Sequence, residues 1–456
     1  MSIRWKDGLR RCRRSRPRHE VLATNLHGRT EQCTDHRGVA LIRLTLAVPL
    51  LAGAFAVAPA QAAEDQSDAA LTQTAASPVD AISDGGMLLE LRPRYAHVDQ
   101  ADKMKAADAY TMRTLLGWRT RYWEDLAATV QMLNVGHFGP KYYASGSTGP
   151  SPYPLVRDAD NTDVNHLYVD YGGIAKTVLR IGRQDLILDN ERMVGVKNFS
   201  QTPQVFDAVT VKNQFLSATD LFFGHFWRER TTSTTDLRSN TSLLNARISF
   251  ADRGSLAAYA YFQDQPDTGQ TTGFRDNSNR IAGLRLDGAQ AIRENLNALY
   301  TAEYARQRSY ADGDSRIDAD YARIGGGIEW RGLFVRADQE RLGSNRSAYA
   351  FQTPIGSTHS FQGWADLFTT TPKQGLIDTF ATLGFTVRSV AVYAERHQFR
   401  SDVSDIDFGN ELDVRLSYQV LKSLVARLEF ADYNAVSASA GNPDTRKIWV
   451  TLLYNY

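Results

Sequence analysis

Cysteine is almost missing from this chain. There are two among 456 residues, Cys12 and Cys33, and both lie upstream of a candidate cleavage point after Ala62. Everything downstream is therefore without a disulfide framework, a thiolate metal site or thiol catalysis. Long apolar runs are scarce as well. The mean hydropathy of −0.37 excludes a bundle of membrane-spanning helices. Catalytic signatures are lacking: there is no G-x-S-x-G, H-E-x-x-H or P-loop pattern. The histidines after Ala62 (97, 137, 166, 225, 359 and 397) show no ligand spacing. No enzyme activity, metal or cofactor is expected. Excess positive charge is absent too. Residues 1–62 hold 11 of the 52 basic and 4 of the 51 acidic residues, leaving 41 and 47 and a net of −6 beyond Ala62. Nucleic acid is not an expected partner.

The one long apolar run is Leu44–Ala58, preceded by Arg43 and followed by Pro59-Ala60-Gln61-Ala62. A basic flank, a short apolar stretch and an A-x-A ending are the layout of a secretory signal peptide. Residues 1–62 read as a leader. The basic stretch 1–38 reads as upstream of a true start near Val39. Residues 63–84, rich in Ala, Ser, Thr, Gln and Asp without apolar period, read as a flexible periplasmic lead-in.

From Gly85 onward the pattern is strand after strand. Met87, Leu89 and Leu91 oppose Glu90, Arg92 and Arg94. Leu296, Ala298, Tyr300, Ala302 and Tyr304 oppose Asn297, Thr301 and Glu303. Leu412, Val414, Leu416 and Tyr418 oppose Asp413, Arg415 and Ser417. Period-2 alternation over segments of about ten residues suits strands crossing a bilayer at a tilt. Tight connections such as Trp330-Arg331-Gly332 alternate with long polar stretches at 140–161, 230–240 and 264–277. That asymmetry belongs to an outer-membrane barrel. The expected fold is all-β: a transmembrane antiparallel β-barrel of about eighteen strands over 85–456. In "YTMRTLLGWRTRYW" (110–123), Tyr110, Trp118 and Tyr122 then face lipid, while Arg113, Arg119 and Arg121 face the bore. The last segment ends on Tyr456, with Ile448, Val450, Leu452 and Tyr454 on the same parity. A closed barrel needs such a full last strand. An aromatic C-terminal strand also resembles the signal read by the outer-membrane assembly machinery.

Two stretches carry more than periodicity: "LRIGRQDLILDNERMVGVKNFSQTPQVFDAVTV" (179–211) and "FQTPIGSTHSFQGWADLFTTTPKQGLIDTFATLGF" (351–385). Both resemble the alginate-export family of outer-membrane barrels. The resemblance implies an eighteen-stranded barrel with an electropositive lumen that passes anionic polysaccharide by diffusion, gated by loops. Carried over by motif, Arg180, Arg183 and Gln184 are expected on the wall, with Asp189, Asn190, Arg192 and Asp207 close by.

The arginines have a physical reading of their own. Beyond Ala62, 32 of the 41 basic residues are arginine, the residue that forks onto carboxylate. Arg92, Arg94, Arg113, Arg119, Arg121, Arg180, Arg247, Arg336, Arg415 and Arg427 fall on polar parities. Fixed guanidinium groups in a water-filled pore concentrate anions. The plainer reading is that each braces a lumen acid such as Glu90, Asp170, Asp338 or Glu429. The Gly- and aromatic-rich stretch 351–366 breaks the alternation and reads as a loop in or over the mouth, with His359, Phe361, Trp364 and Asp366 placed to stack on a sugar. The acidic runs 311–320 and 401–410 read as solvated loops. The function expected is a channel for an anionic saccharide or a small organic anion; a general uptake porin and a plugged structural or enzymatic barrel are the alternatives. Expected partners are outer-membrane lipid and lipopolysaccharide, the assembly machinery, and a periplasmic delivery partner, for which no docking motif is visible.

Overall fold

In a computed structural model, residues 74–146, 151–250, 253–265, 276–436 and 441–456 are described. The leader, the cleavage point and residues 63–73 of the lead-in lie outside them. The strands are β1 (Gly86–Gln100), β2 (Ala107–Arg119), β3 (Leu126–His137), β4 (Asn161–Ile174), β5 (Thr177–Gln184), β6 (Val205–Asn213), β7 (Thr219–Arg230), β8 (Asp236–Ser249), β9 (Gly254–Asp264) and β10 (Asn279–Arg293). They continue as β11 (Leu296–Ser309), β12 (Asp318–Trp330), β13 (Leu333–Leu342), β14 (Ser344–Asn345), β15 (Tyr349–Ala350), β16 (Leu376–Val387), β17 (Val390–Arg400), β18 (Asp407–Leu421), β19 (Leu424–Asn434) and β20 (Thr445–Asn455). β14 and β15 form a small ladder within a loop. The other eighteen pair antiparallel, each with its neighbour in sequence, and β20 closes on β1 from Glu90↔Asn455 to Gln100↔Thr445. Closure leaves no strand edge facing lipid, which a bilayer requires.

Alternation sets the two faces. In β11, Ala302, Tyr304 and Arg306 are exposed while Thr301, Glu303, Ala305 and Gln307 are buried. The same division runs through β3 and β9. Short turns gather at the end that holds both strand termini of the chain. Arg331 (φ 51°) and Gly332 (φ 82°) join β12 to β13 in two residues, the left-handed pair that a tight hairpin needs. The 231–235 connection is also short, so the expected long loop at 230–240 is mostly strand. Aromatic side chains mark both rims. Tyr95, Tyr110 and Phe138 form a chain of ring contacts at 4.8 and 6.0 Å near one rim, and Trp330 and Tyr418 are exposed near the other.

The lead-in departs from the flexible expectation over its described part. Ser77 caps helix α1 (Pro78–Ser83) by accepting the Asp80 amide. The helix docks on the short-turn end: Trp118 Nε1 donates to the Ile82 carbonyl at 2.9 Å, and the Arg121 amide to Ala81 at 2.9 Å.

Two long connections fold inward. These are 185–204, between β5 and β6, and 343–375, between β13 and β16. Their apolar residues, including Leu186, Val194, Ile355, Trp364 and Phe368, join Phe206, Phe226, Phe399 and Tyr433 of the inner wall in one core. The hydrophobic core thus lies inside the barrel, between wall and loops.

Candidate functional site

The two inward loops meet within the lumen. The Gly195 amide donates to the Ile355 carbonyl and the Ser357 amide to the Glu191 carbonyl, both at 2.9 Å. Lys197 Nζ donates to the Pro354 carbonyl at 2.8 Å. Phe199 stacks on His359 at 3.3 Å, and Trp449 of β20 closes edge-on against both rings.

Each loop is pinned to the wall by buried polar groups. Arg192 is 1% exposed. Its Nε and Nη2 reach Glu340 of β13 at 2.8 and 3.4 Å, Nη1 donates to Thr353 at 3.1 Å, and its guanidinium lies 4.8 Å from the Phe361 ring. Three strands further round, on β18, the Ala365 amide donates to Glu411 at 2.6 Å and the Trp364 amide to Asp413 at 3.2 Å. Trp364 stacks on Tyr393 and lies under the Arg415 guanidinium at 4.4 Å. Beside it, His397 Nδ1 sits 3.0 Å from Asp378, with Asp413 and Glu395 at 3.5 and 3.6 Å from Nε2. In the loop itself, burial pushes the His359 imidazole below its ordinary pKa despite Asp366 at 3.2 Å. Burial tends to raise the Asp366 carboxyl, but His359 and Lys447 hold it below the usual carboxylate range.

A belt of arginines crosses the inner face beside these loops. Arg92 of β1 stands directly opposite Arg113 of β2, and Arg94 of β1 and Arg427 of β19 flank Thr451 of β20. Neutral loop groups receive much of this charge. Arg92 donates to Gln201 Oε1 at 2.8 Å and to the Asn198 and Ser200 carbonyls at 2.7 and 2.5 Å. Arg94 donates to the Phe199 carbonyl at 2.8 Å and lies 4.0 Å from Asp158. Arg113 bonds Glu90 at 2.6 Å and the Asn198 side chain at 2.8 Å. Arg415 takes Glu429 at 2.6 Å. Among the described residues Arg427 has no ion pair, and its buried Nε has no hydrogen-bond partner.

Elsewhere along the bore the arginines are matched by acids. Arg180 forks onto Asp170 at 2.6 and 2.9 Å beneath Tyr168, and Arg119 approaches the same carboxylate at 3.8 Å. Arg336 grips Asp338 at 2.9 and 3.1 Å. Arg247 lies 3.6 Å from both Asp189 and Asp287. Sequence reading passed over Arg285, which holds Glu303 at 2.8 Å, and Arg323, which holds Asp338 at 3.2 Å. It also passed over Phe199 and Gln201, and it read Glu340 as a lumen acid without its partner Arg192; nothing in a lone sequence marks these as partners of residues more than a hundred positions away.

Several expected positions are corrected. Asp189, Asn190 and Arg192, expected close by the wall, sit on the inward loop 185–204. Arg183 pairs in register with Leu167 and with Asp207, the parity on which Leu167 and Ile181 are exposed to the outside. Arg183 and Asp207 are therefore one step out of phase with Arg180 and Gln184, which face inward. Arg121 and Tyr122 follow the end of β2, where strand parity no longer applies. Arg121 meets Asp84 of the lead-in at 3.3 Å. Tyr122 does not face lipid: a Cβ at Gly172, on the parity of Asp170, would come within 3.3 Å of its ring. Among the described residues, no group of His, Cys, Asp and Glu side chains is arranged to hold a metal ion.

Residues 86–369 match the model of the alginate export family. The chain belongs to that family. No curated protein matches it. Solved structures that resemble this alginate-export barrel are outer-membrane porins. OccK9 (OpdG) of Pseudomonas aeruginosa is 14% identical with a TM-score of 0.64, over 82% of this chain and 99% of that one. OccAB4 of Acinetobacter baumannii is 12% identical with a TM-score of 0.63, over 81% and 97%. OpdK of P. aeruginosa, solved with vanillate, is 14% identical with a TM-score of 0.61, over 82% and 99%. At these identities the likeness is one of fold. Family and fold together make this an outer-membrane β-barrel channel.

Proposed function

We propose that the barrel passes an anionic saccharide or a small organic anion by passive diffusion, selected by the arginine belt on the inner face of β18, β19, β20, β1 and β2. The observation that carries this reading is local charge. Five guanidinium groups (Arg92, Arg94, Arg113, Arg415 and Arg427) stand there against Glu90, Glu429 and Asp158, with Asp413 and Glu411 further along the inner face of β18. Neutral carbonyls that accept from Arg92 and Arg94 satisfy hydrogen bonds without cancelling charge. In a narrow pore such a field draws anions and repels cations. A carboxylate entering the belt meets the part-exposed Arg415 and Arg427, while the buried Arg92, Arg94 and Arg113 contribute charge.

Size separates two substrates within this reading. Membership of the alginate export family favours a uronic-acid polymer. The two loops that meet across the lumen favour a small carboxylate, and the similarly folded OpdK was solved with the aromatic acid vanillate. Planar-bilayer recordings in a salt gradient test the shared claim: the reversal potential indicates anion preference, and Arg94→Glu with Arg427→Glu shifts it toward cations. Cation preference in the unmodified protein overturns the reading, and lack of conductance returns a plugged barrel. Block of the current by oligoalginate, but not by vanillate, selects the polymer.

A further inference from the structure

The outer wall carries a feature that lumen transport does not use. Outward alanines occur on several strands, Ala302, Ala337 and Ala381 among them. Across β8, β9 and β10 two alanine pairs lie side by side. Ala246 faces Ala258, and Ala260 faces Ala282. The small side chains leave an outward-facing apolar recess of about 770 Å³, walled by Leu244, Leu284 and Tyr304.

Directly above that recess, toward the long-loop end, the outward face turns cationic. Ala282 is in register with Arg306, and two residues further along Arg280 stands directly opposite Arg308. Two residues of strand is about 7 Å, the offset between an acyl boundary and a headgroup. Like charges directly opposite each other on one sheet face are unfavourable. Asp318 and Asp320 answer them incompletely. Arg306 takes Asp318 at 2.9 Å and lies 3.7 Å from Asp320, whereas Arg308 is 3.8 Å from Asp318. Arg280 is exposed and, among the described residues, has no ion pair.

We propose that this recess and its arginine cap bind lipid A, the bis-phosphorylated, multi-acyl glycolipid of the outer leaflet. Acyl chains lie against the alanine floor, and a phosphate bridges Arg280 and Arg308, relieving their opposition. Placement at the long-loop end, the outer-leaflet side of such a barrel, selects lipid A over inner-leaflet phospholipid. This site is on the lipid face and is independent of what crosses the lumen.

The test uses the full barrel in detergent, titrated with hexa-acyl bis-phosphorylated lipid A and followed by native mass spectrometry. The unmodified protein takes up one equivalent tightly. Arg280→Ala with Arg308→Ala weakens binding by about thirtyfold, at roughly a kilocalorie per mole for each surface arginine. Ala260→Phe, which fills the recess, weakens it as well. Arg396→Ala with Arg400→Ala removes equal charge from exposed positions of β17 and leaves binding intact. Should Ala260→Phe fail to fold, the arginine variants decide alone. The proposal is overturned if lipid A does not bind, if the two arginine pairs behave alike, or if dephosphorylated lipid A or dioleoyl phosphatidylglycerol binds equally well.

Discussion

A buried ion pair anchors the 185–204 loop to the wall, and its loss has a calculable effect. Arg192 and Glu340 each have side chains 2% exposed. Removing one member of a buried pair leaves the other charge desolvated, at about 3–5 kcal/mol. In Arg192→Met, Glu340 keeps the Tyr321 hydroxyl and the Gln362 amide, each at 2.7 Å. Those two donors place the cost at the low end, about 3 kcal/mol. The barrel wall does not depend on Arg192, so the cost falls on loop docking. A penalty of that size raises the undocked population about a hundredfold. Single-channel recordings should show frequent excursions to a larger conductance, and limited proteolysis should cut within 185–204. Arg192→Met with Glu340→Gln, which removes both charges, should recover most of the quiet current. A single variant as quiet and protease-resistant as the parent would refute the claim that this pair holds the loop.

Two further outcomes follow from the same geometry. Because burial depresses the His359 pKa, the undocked loop binds more protons than the docked one in acid, so docking weakens as pH falls below about 6.5; Asp366, held low, adds a loss below about pH 4. Current noise should therefore rise between pH 7 and 5, and His359→Phe, which keeps the stack on Phe199, should flatten that rise; an unchanged profile would exclude His359 as its source. Arg121→Gln should leave ion selectivity at the parent value, since Arg121 lies past the end of β2 and beside Asp84, whereas Arg119→Gln should reduce anion preference; reversal potentials measure both.

The strand framework is legible in the sequence because period 2 is a local property: Ala302 and Tyr304 point outward for the same reason that Thr301 and Glu303 point inward. Reading fails where locality fails. Tyr122 keeps the parity of Trp118 in sequence but lies beyond the last paired residue of β2. Arg183 is adjacent to Gln184, so a motif carried over as a block puts both in the bore, although neighbouring strand residues must face opposite ways. The 185–204 stretch has no period because it forms no strand. Its position is set by Glu340, Thr353 and Ile355, some 150 residues later, and no local pattern encodes such contacts.

Counting arginines on polar parities therefore overstates the field along most of the bore and understates it at one level. Arg180, Arg247 and Arg336 each stand against a carboxylate, and such pairs brace a wall while nearly cancelling in charge. Arg92 and Arg94 differ because the chain supplies mainly carbonyls and a glutamine there, with Asp158 4.0 Å from Arg94. A carbonyl satisfies a guanidinium N–H yet leaves its positive charge in place. The residues that supply these acceptors, Asn198 to Gln201, belong to the inward loop. The loop that narrows the lumen is thus also the element that orients its uncancelled arginines, so a variant that releases the loop should widen the pore and weaken its charge selectivity together.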